Sequence, residues 1–351
     1  MRRALVLAQK GLGQTAPNPL VGAVVVQDGQ VVGEGYHAHH GAPHAEVMAL
    51  AAAGPRARRG TLYVTLEPCN HYGKTPPCTE AIIEAGITRV VVATLDPTAP
   101  AGGGADYLAG LGIAIERGVE EPAAREINAA FLFSATATRP WITLKIALSR
   151  EGGMADGTGR QKWLTGESAR ADVHRLRASA DAIATGIGTV LADDPLLTVR
   201  GSVPPRVAPS RVVFDRSAAT PLASKLVTTV REAPVMIFAH EPPVEKLAAL
   251  YNAGVQVFEA TDISTALSAL HGFGMQHVLV EAGPQLAGKF LLEGLVDRLI
   301  IFQTETELGA RALGPFAALP PQMRERILEC PVLRTERFGA DVMTVRALTR
   351  I

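Results

Sequence analysis

His44-Ala45-Glu46, followed downstream by Glu67-Pro68-Cys69-Asn70-His71-Tyr72-Gly73-Lys74-Thr75-Pro76-Pro77-Cys78, decides how this chain is read. The stretch offers one imidazole and two thiols, with a carboxylate two residues past the imidazole. Three such ligands and a non-ligating acid suit a catalytic zinc centre, which keeps its fourth position for water, whereas a structural centre closes with a fourth Cys or His. The plainer reading is a surface His44 and two buried Cys behaving as small hydrophobes. Against it, Cys69 and Cys78 stand in Pro- and Gly-rich loop sequence, not in apolar runs. Glu46 is then a proton shuttle rather than a surface acid. His37, His71 and Lys74 lie close by in sequence. Lys74 sits in Gly-Lys-Thr without the preceding glycine spacing of a Walker A loop, so it is either a phosphate contact or a solvated lysine. Asn18, between two prolines, is either a turn former or a partner for a ring edge.

Nucleobase deaminases that use zinc carry H-x-E and then P-C-x-x-C, with the Glu as proton carrier. Here eight residues separate the two Cys instead of two. Around this stretch the pattern is that of an α/β domain. Arg2 to Gly11 reads as a helix. Leu20–Gln27 and Gln30–Tyr36 read as a hairpin turned at Asp28-Gly29 in a type I′ turn. His44–Ala53 reads as a helix stopped by Gly54-Pro55, Thr61–Leu66 as a buried strand, and Cys78–Ala85 as a helix. A strand at Arg89–Leu95, a strand at Ile113–Glu116 and a helix from Glu121 to about Phe133 complete it. Both Cys are expected at the start of a helix, where the dipole favours a thiolate.

At 351 residues the chain is long for one core, which predicts two domains. Ser134–Pro140 reads as the linker, giving domains of 1–136 and 139–351. The 34 basic and 34 acidic residues cancel, which argues against a nucleic-acid partner. Three Cys, at 69, 78 and 330, do not make a disulfide framework, and a reducing cytoplasm is the expected location. No apolar run approaches the ~20 residues of a membrane span.

The second half repeats the alternation of strands and helices. Strands are expected at Trp141–Leu148, Asp181–Thr185, Arg211–Phe214, Val235–Ala239, Val255–Phe258, His277–Val280, Arg298–Phe302 and Met343–Ala347. Helices are expected at Glu167–Ala178, Val244–Ala253, Asp262–Gly272 and Gln285–Glu293. Two glycine turns, Gly186-Ile187-Gly188-Thr189 and Glu281 to Gly288, each follow a strand. Each alone is most often an empty turn, but two in one domain suggest a dinucleotide at helix N-termini. Asp193-Asp194-Pro195 reads as a helix-ending turn. Lys145 is the one charge in the Trp141–Leu148 strand; burying it unpaired is costly, so it faces a pocket, with Asp193 and Glu281 as acids able to meet it. Cys330 has no partner motif and reads as packing.

With these residues in view, the chain resembles the bifunctional riboflavin-biosynthesis deaminase–reductase family nearly end to end. The carriers are Asn18-Pro19-Leu20-Val21-Gly22, Gly33 to His37, His44-Ala45-Glu46 and Val64 to Cys78, with its wide Cys spacing. In the second half they are Leu144-Lys145, Gln161 to Thr165, Val190 to Arg200 and Val280 to Gly288. The resemblance implies a cytidine-deaminase-like three-layer α/β/α domain followed by a dihydrofolate-reductase-like α/β domain. It implies zinc-dependent hydrolysis of an amine on a phosphorylated diaminopyrimidinone, then NADPH-dependent reduction of its ribosyl group to ribityl. Zinc ligands are then His44, Cys69 and Cys78, with Glu46 as the proton carrier. Asn18, His37 and Lys74 match substrate positions of the first site. In the second, Lys145 matches the catalytic lysine, while Ala147, Trp163, Thr189, Asp193 and Gly283-Pro284-Gln285-Leu286-Ala287-Gly288-Lys289 match the cofactor side. Gln161, Arg177, Leu197, Arg200 and Glu281 match the substrate side, with Arg177 and Arg200 suited to the phosphate. The implied partner is a small phosphorylated pyrimidine, and the implied assembly is a homo-oligomer. The chain departs from the family's pattern at Ser149-Arg150-Glu151-Gly152-Gly153, at Gln161 and at Glu305-Thr306-Glu307-Leu308-Gly309.

Overall fold

The hairpin expected at Asp28-Gly29 forms, with φ of 49° and 75° at those two residues, the positive values that a type I′ turn requires. The structure, a computed structural model, describes residues 1–98, 101–155, 164–201, 203–309, 312–317 and 319–348. The expectations for Gln161 and Trp163 lie outside the described residues. By internal contacts the chain divides into Met1–Ala137 and Thr138–Ile351.

The first unit runs α1 (Arg2–Ala8), β1 (Gly22–Gln27), β2 (Gln30–Tyr36), α2 (Ala45–Ala53), β3 (Thr61–Leu66), α3 (Cys78–Glu84), β4 (Arg89–Thr94), α4 (Gly104–Gly110), β5 (Ala114–Arg117), α5 (Glu121–Ile127) and α6 (Ala129–Ser134). Its sheet has the order β2-β1-β3-β4-β5, with β1 antiparallel to β2 and β3, and β3, β4 and β5 parallel. Strand side chains alternate between faces. Ala23, Val25, Leu62, Val64, Val90 and Val92 therefore meet Ala49 and Leu50 of α2 and Ile82 of α3 on one face. Val24 meets Ala4 and Leu7 of α1 on the other. That makes three layers. A Cβ on Gly22 would lie 2.0 Å from Ala4 O, so only glycine lets α1 rest on β1.

Two expectations change here. The helix read from Glu121 to Phe133 is broken into α5 and α6 at Asn128. The Asn128 amide donates to Leu20 O at 2.9 Å and accepts from Leu20 N–H at 2.8 Å, so the residue serves the loop before β1 at the expense of a continuous helix. The Ala/Gly-rich stretch before Gly112, assigned no element, contains α4.

The second unit runs β6 (Trp141–Leu148), α7 (Glu167–Ala178), β7 (Ala182–Gly186), α8 (Ile187–Asp193), β8 (Ser210–Phe214), α9 (Lys225–Thr228), β9 (Val235–Ala239), α10 (Val244–Asn252), β10 (Gln256–Glu259), α11 (Ile263–Gly272), β11 (His277–Val280), α12 (Pro284–Leu292), β12 (Arg298–Gln303), α13 (Pro321–Glu329), β13 (Val332–Phe338) and β14 (Asp341–Ala347). Among the described residues these strands form one sheet of order β10-β9-β8-β7-β11-β6-β12-β14-β13. It is parallel through β12, and β14 pairs antiparallel with both β12 and β13. Ile142, Leu144, Ile146 and Leu148 of β6 enter a core with α11 and α12. Burying Phe290, at 0% exposure in that core, is worth roughly 1.5–3 kcal/mol. Lys145 and Ala147 project to the opposite face, where Ala147 packs with Ala169 and Val173 of α7. The elements α9, α13 and β13 are additions to the expected set, and α8 is the helix implied between the Gly186 turn and Asp193-Asp194-Pro195. β13 is an exposed edge strand, held by backbone pairing to β14, so no alternation of apolar residues marks it.

Candidate active sites

In the first unit the chain places His44 as the N-cap of α2, Glu46 in its first turn and Cys78 as the first residue of α3. Cys69 lies in the loop after β3, not at a helix start as expected; it reaches α3 by accepting the Cys78 N–H at 3.3 Å. The loop is held close to α4. Pro68 O would lie 1.9 Å from a Cβ on Gly104, and the Glu67 carboxylate accepts the N–H groups of Ala105 and Asp96 at 2.9 and 3.2 Å.

His44 Nδ1 lies 3.2 Å from Cys78 Sγ and 3.5 Å from Cys69 Sγ, and the three donor atoms lie within 4.8 Å of one another. A tetrahedral zinc, with bonds of about 2.1 Å to nitrogen and 2.3 Å to sulfur, sets N···S near 3.6 Å and S···S near 3.8 Å. The donor set and its spacing fit that ion. The thiol of Cys69 is pulled down to about 4, chiefly by a hydrogen bond from Cys78, against the opposing effect of burial and with help from His44. The Cys78 thiol is pushed up as the donor of that bond and by burial. Cys69 also raises His44. A metal bound by these groups would displace the protons they carry. Glu46 is 3% exposed, and burial pushes its carboxyl up to about 7, opposed by His44.

His44, Glu46 and Cys69 line a cavity of about 340 Å³, together with Asn18, His37, His40, His71, Lys74 and Asp96. His37 is buried, and burial holds it below its usual range. Asn18 Nδ2 lies 3.1 Å from His37 Nε2, and His37 Nδ1 lies 3.2 Å from Pro43 O. If the amide donates, the imidazole carries its proton on Nδ1 and donates it in a hydrogen bond to Pro43 O. Lys74 Nζ lies 3.0 Å from His40 Nε2. The sequence reading gives His40 no role; it carries no motif signal, and only the fold puts it beside a lysine 34 positions away.

In the second unit Lys145 on β6 meets Glu281, which immediately follows the neighbouring strand β11, at 3.9 Å. Arg177 of α7 binds the same carboxylate through Nε at 2.5 Å and Nη2 at 3.1 Å. The side chains of Lys145, Glu281 and Arg177 are only 15%, 12% and 11% exposed. Burial lowers the Lys145 ammonium, opposed by Glu281. Glu281 is itself held below the usual carboxylate range: burial pushes up, but Arg177 and Lys145 outweigh it. Two of the Arg177 guanidinium nitrogens are thus engaged by Glu281. Arg200 keeps an exposed side chain, and its N–H donates to His174 Nδ1 at 3.1 Å. Leu197 is buried and left-handed, with φ of 50°.

The two glycine turns come together. They end the adjacent parallel strands β7 and β11, and Gly283 N–H donates to Thr189 Oγ1 at 3.1 Å. Gly283 caps α12 without any side-chain cap bond, which leaves that helix start suited to a phosphate of a dinucleotide. Pro284, Gln285 and Leu286 form the first turn. Ala287 and Gly288 are buried beneath it, and Lys289 points to Glu293 at 3.7 Å. Asp193 closes α8, and Asp194 follows in the left-handed region, so the helix-ending turn is as read. The departures from the family's pattern meet one another. Arg150 pairs with Glu307 at 3.1 Å, and Glu151 accepts from the Ser149 hydroxyl and from Leu308 and Gly309 N–H. Cys330 is a free thiol whose S–H donates to Arg326 O at 3.2 Å.

The region described as "Cytidine and deoxycytidylate deaminase zinc-binding region" matches residues 1–94, and the "RibD C-terminal domain" matches residues 140–344. The fold and site therefore define a zinc-dependent deaminase unit followed by a reductase unit. The chain is 47% identical to the riboflavin biosynthesis protein RibD of Aquifex aeolicus, covering 88% of this chain and 87% of that one. It is 39% identical to RibD of Escherichia coli, covering 97% and 96%. Among solved structures, Acinetobacter baumannii RibD, form 1, superposes with a TM-score of 0.88 at 39% identity over 99% of this chain and 97% of that one. A diaminohydroxyphosphoribosylaminopyrimidine deaminase/5-amino-6-(5-phosphoribosylamino)uracil reductase from Thermotoga maritima superposes with 0.85 at 34% over 99% and 97%. The chain belongs to the RibD family. It is a bifunctional deaminase and reductase of riboflavin biosynthesis that uses zinc and NADPH. No described helix is long and apolar enough to cross a membrane.

Proposed function

We propose that residues 1–136 hydrolyse the exocyclic amine of 2,5-diamino-6-ribosylamino-4(3H)-pyrimidinone 5′-phosphate. Residues 139–351 then reduce the product, 5-amino-6-(5-phosphoribosylamino)uracil, to 5-amino-6-ribitylaminouracil 5′-phosphate. The observation that carries this reading is the His44/Cys69/Cys78 cluster at a cavity that His44, Cys69 and the buried Glu46 line together. The Thermotoga maritima relative's name supplies the substrate class.

His44, Cys69 and Cys78 would hold zinc, which when bound would supply a Lewis acid able to lower the pKa of water toward ~7. Glu46 takes a proton from the attacking water and delivers it to the departing ammonia. Asn18, with its amide nitrogen bonded to His37, has its oxygen to offer the substrate's ring edge, and His37 holds Asn18 in that orientation. Lys74 meets the phosphate. In the second unit NADPH, when bound, would supply the hydride. Ala147, Trp163, Thr189, Asp193 and the Gly283–Lys289 turn flank the cofactor. Lys145, held by Glu281, orients and polarises C1′ of the ring-opened sugar, and no protein nucleophile is needed. Gln161, Leu197 and Arg200 line the substrate side, with Arg177 bracing Glu281. The chain works in the cytoplasm, a compartment in which its free Cys stay reduced, and it works as a homo-oligomer.

One assay tests the reading. The purified chain is given the diaminopyrimidinone phosphate with and without NADPH. Ammonia release without NADPH, and one NADPH oxidised per ammonia with it, is the expected result. No ammonia from zinc-loaded protein would overturn the reading.

A further inference from the structure

Residues 195–200, which carry Leu197 and Arg200, have no regular secondary structure. The left-handed backbone at Leu197 is a conformation that surrounding contacts must enforce. Three side chains hold this segment by its backbone. Arg211 Nη1 donates to Leu196 O at 3.2 Å, Arg177 Nη1 donates to Thr198 O at 2.9 Å, and His174 Nδ1 accepts the Arg200 N–H at 3.1 Å. His174 and Arg177 are three apart on α7 and so share a face. Two of these clamps are guanidiniums, which stay charged at any working pH. The third differs in kind. An imidazole accepts at Nδ1 only when neutral with its proton on Nε2; the imidazolium would set a donor against a donor.

We propose that His174 is a positioning residue of the reductase: neutral, it aims Arg200 at the phosphorylated substrate, and protonated, it releases that arm. This rests on the placement of Arg200 on the substrate side given above. The charged groups facing the ring are Arg177 and Arg200, which oppose its protonation, and Glu281, which favours it. Burial opposes protonation most, and the ring is held below its ordinary 6.5. The arm is therefore set at pH 7 and above, and slackens as the pH falls below 6.5. Loss of one such hydrogen bond changes binding about three- to tenfold. The change falls on KM for the phosphorylated substrate and leaves kcat, because Glu281 keeps its ion pairs with Lys145 and Arg177.

The test is steady-state reduction of 5-amino-6-(5-phosphoribosylamino)uracil by the full chain from pH 5.5 to 8. The variants are His174→Phe, which fills the space without an acceptor, His174→Asn, whose amide oxygen accepts without titrating, and Arg200→Ala. The substrate phosphate itself titrates near pH ~6, and His174→Asn isolates that contribution. Expected are a raised KM at pH 8 in His174→Phe with kcat retained, recovery of KM in His174→Asn, and a smaller rise of KM in acid for His174→Asn than for wild type. Wild-type KM in His174→Phe, or an acid rise equally steep in His174→Asn and wild type, overturns the proposal. If Arg200→Ala raises KM while His174→Phe does not, only the positioning role of His174 falls. If Arg200→Ala leaves KM unchanged, the placement of Arg200 falls as well.

Discussion

Removing Glu281 and removing Lys145 should have very unequal consequences for stability, although the two are partners. Glu281 is shared: Arg177 binds it through two nitrogens at 2.5 and 3.1 Å, and Lys145 approaches at 3.9 Å. Glu281→Gln keeps the volume and removes the anion, so two largely buried cations are left facing a neutral amide. Breaking a buried pair in this way costs about 3–5 kcal/mol, which for a unit of this size lowers Tm by roughly 6–20 °C. Lys145→Met removes a cation that burial already disfavours, and leaves Glu281 bonded to Arg177. Its stability should stay within about 1 kcal/mol of wild type. Reduction of the deaminated intermediate should nevertheless be lost. Sign and pH follow from Glu281 as well. Its folded pKa lies below the ordinary 4.5, so its ionised form adds stability above pH 4.5 that is lost as the pH falls through the folded value. Glu281→Gln should remove that acid limb. Calorimetry of the full chain, following the transition of the second unit, and single-turnover reduction check both halves. Equal loss of Tm in the two variants would refute the shared-anion reasoning, and wild-type reduction by Lys145→Met would leave Lys145 as a strand lysine only.

Glu46→Gln should retain zinc by metal analysis and lose about 10²–10⁴-fold in deamination, since an amide cannot carry the proton; near-wild-type turnover would remove Glu46 from the mechanism. Cys69→Ala or Cys78→Ala should lose zinc and deamination together, while reduction of supplied intermediate continues; full zinc content in either variant would refute the ligand set.

The zinc-type stretch was legible because its chemistry is local in spacing. His44 and Glu46 lie within one turn, and Cys69 and Cys78 bracket one loop. The hairpin at Asp28-Gly29, the strand Trp141–Leu148 and the helix Glu167–Ala178 were equally legible, since period and turn chemistry act over a few residues. Long-range pairing was not. Asn128 breaks a helix because Leu20, 108 positions away, needs its amide. β13 exists because β14 offers it a hydrogen-bonding edge, although its own side chains are nearly all exposed.

What the sequence determined by itself is the His44/Cys69/Cys78 grouping, the two-unit plan and the presence of one charge in an apolar strand. The tertiary structure decided which acid that charge meets. Asp193 and Glu281 were equal candidates along the chain, and Glu281 is brought to Lys145 because β11 lies beside β6. It also decided that Arg177 braces that acid, and that two unremarkable glycine turns share a hydrogen bond through Thr189. The physical reason is common to all three. Strand order and register set distances between residues far apart in sequence, and a buried charge or N–H takes whichever partner that geometry delivers.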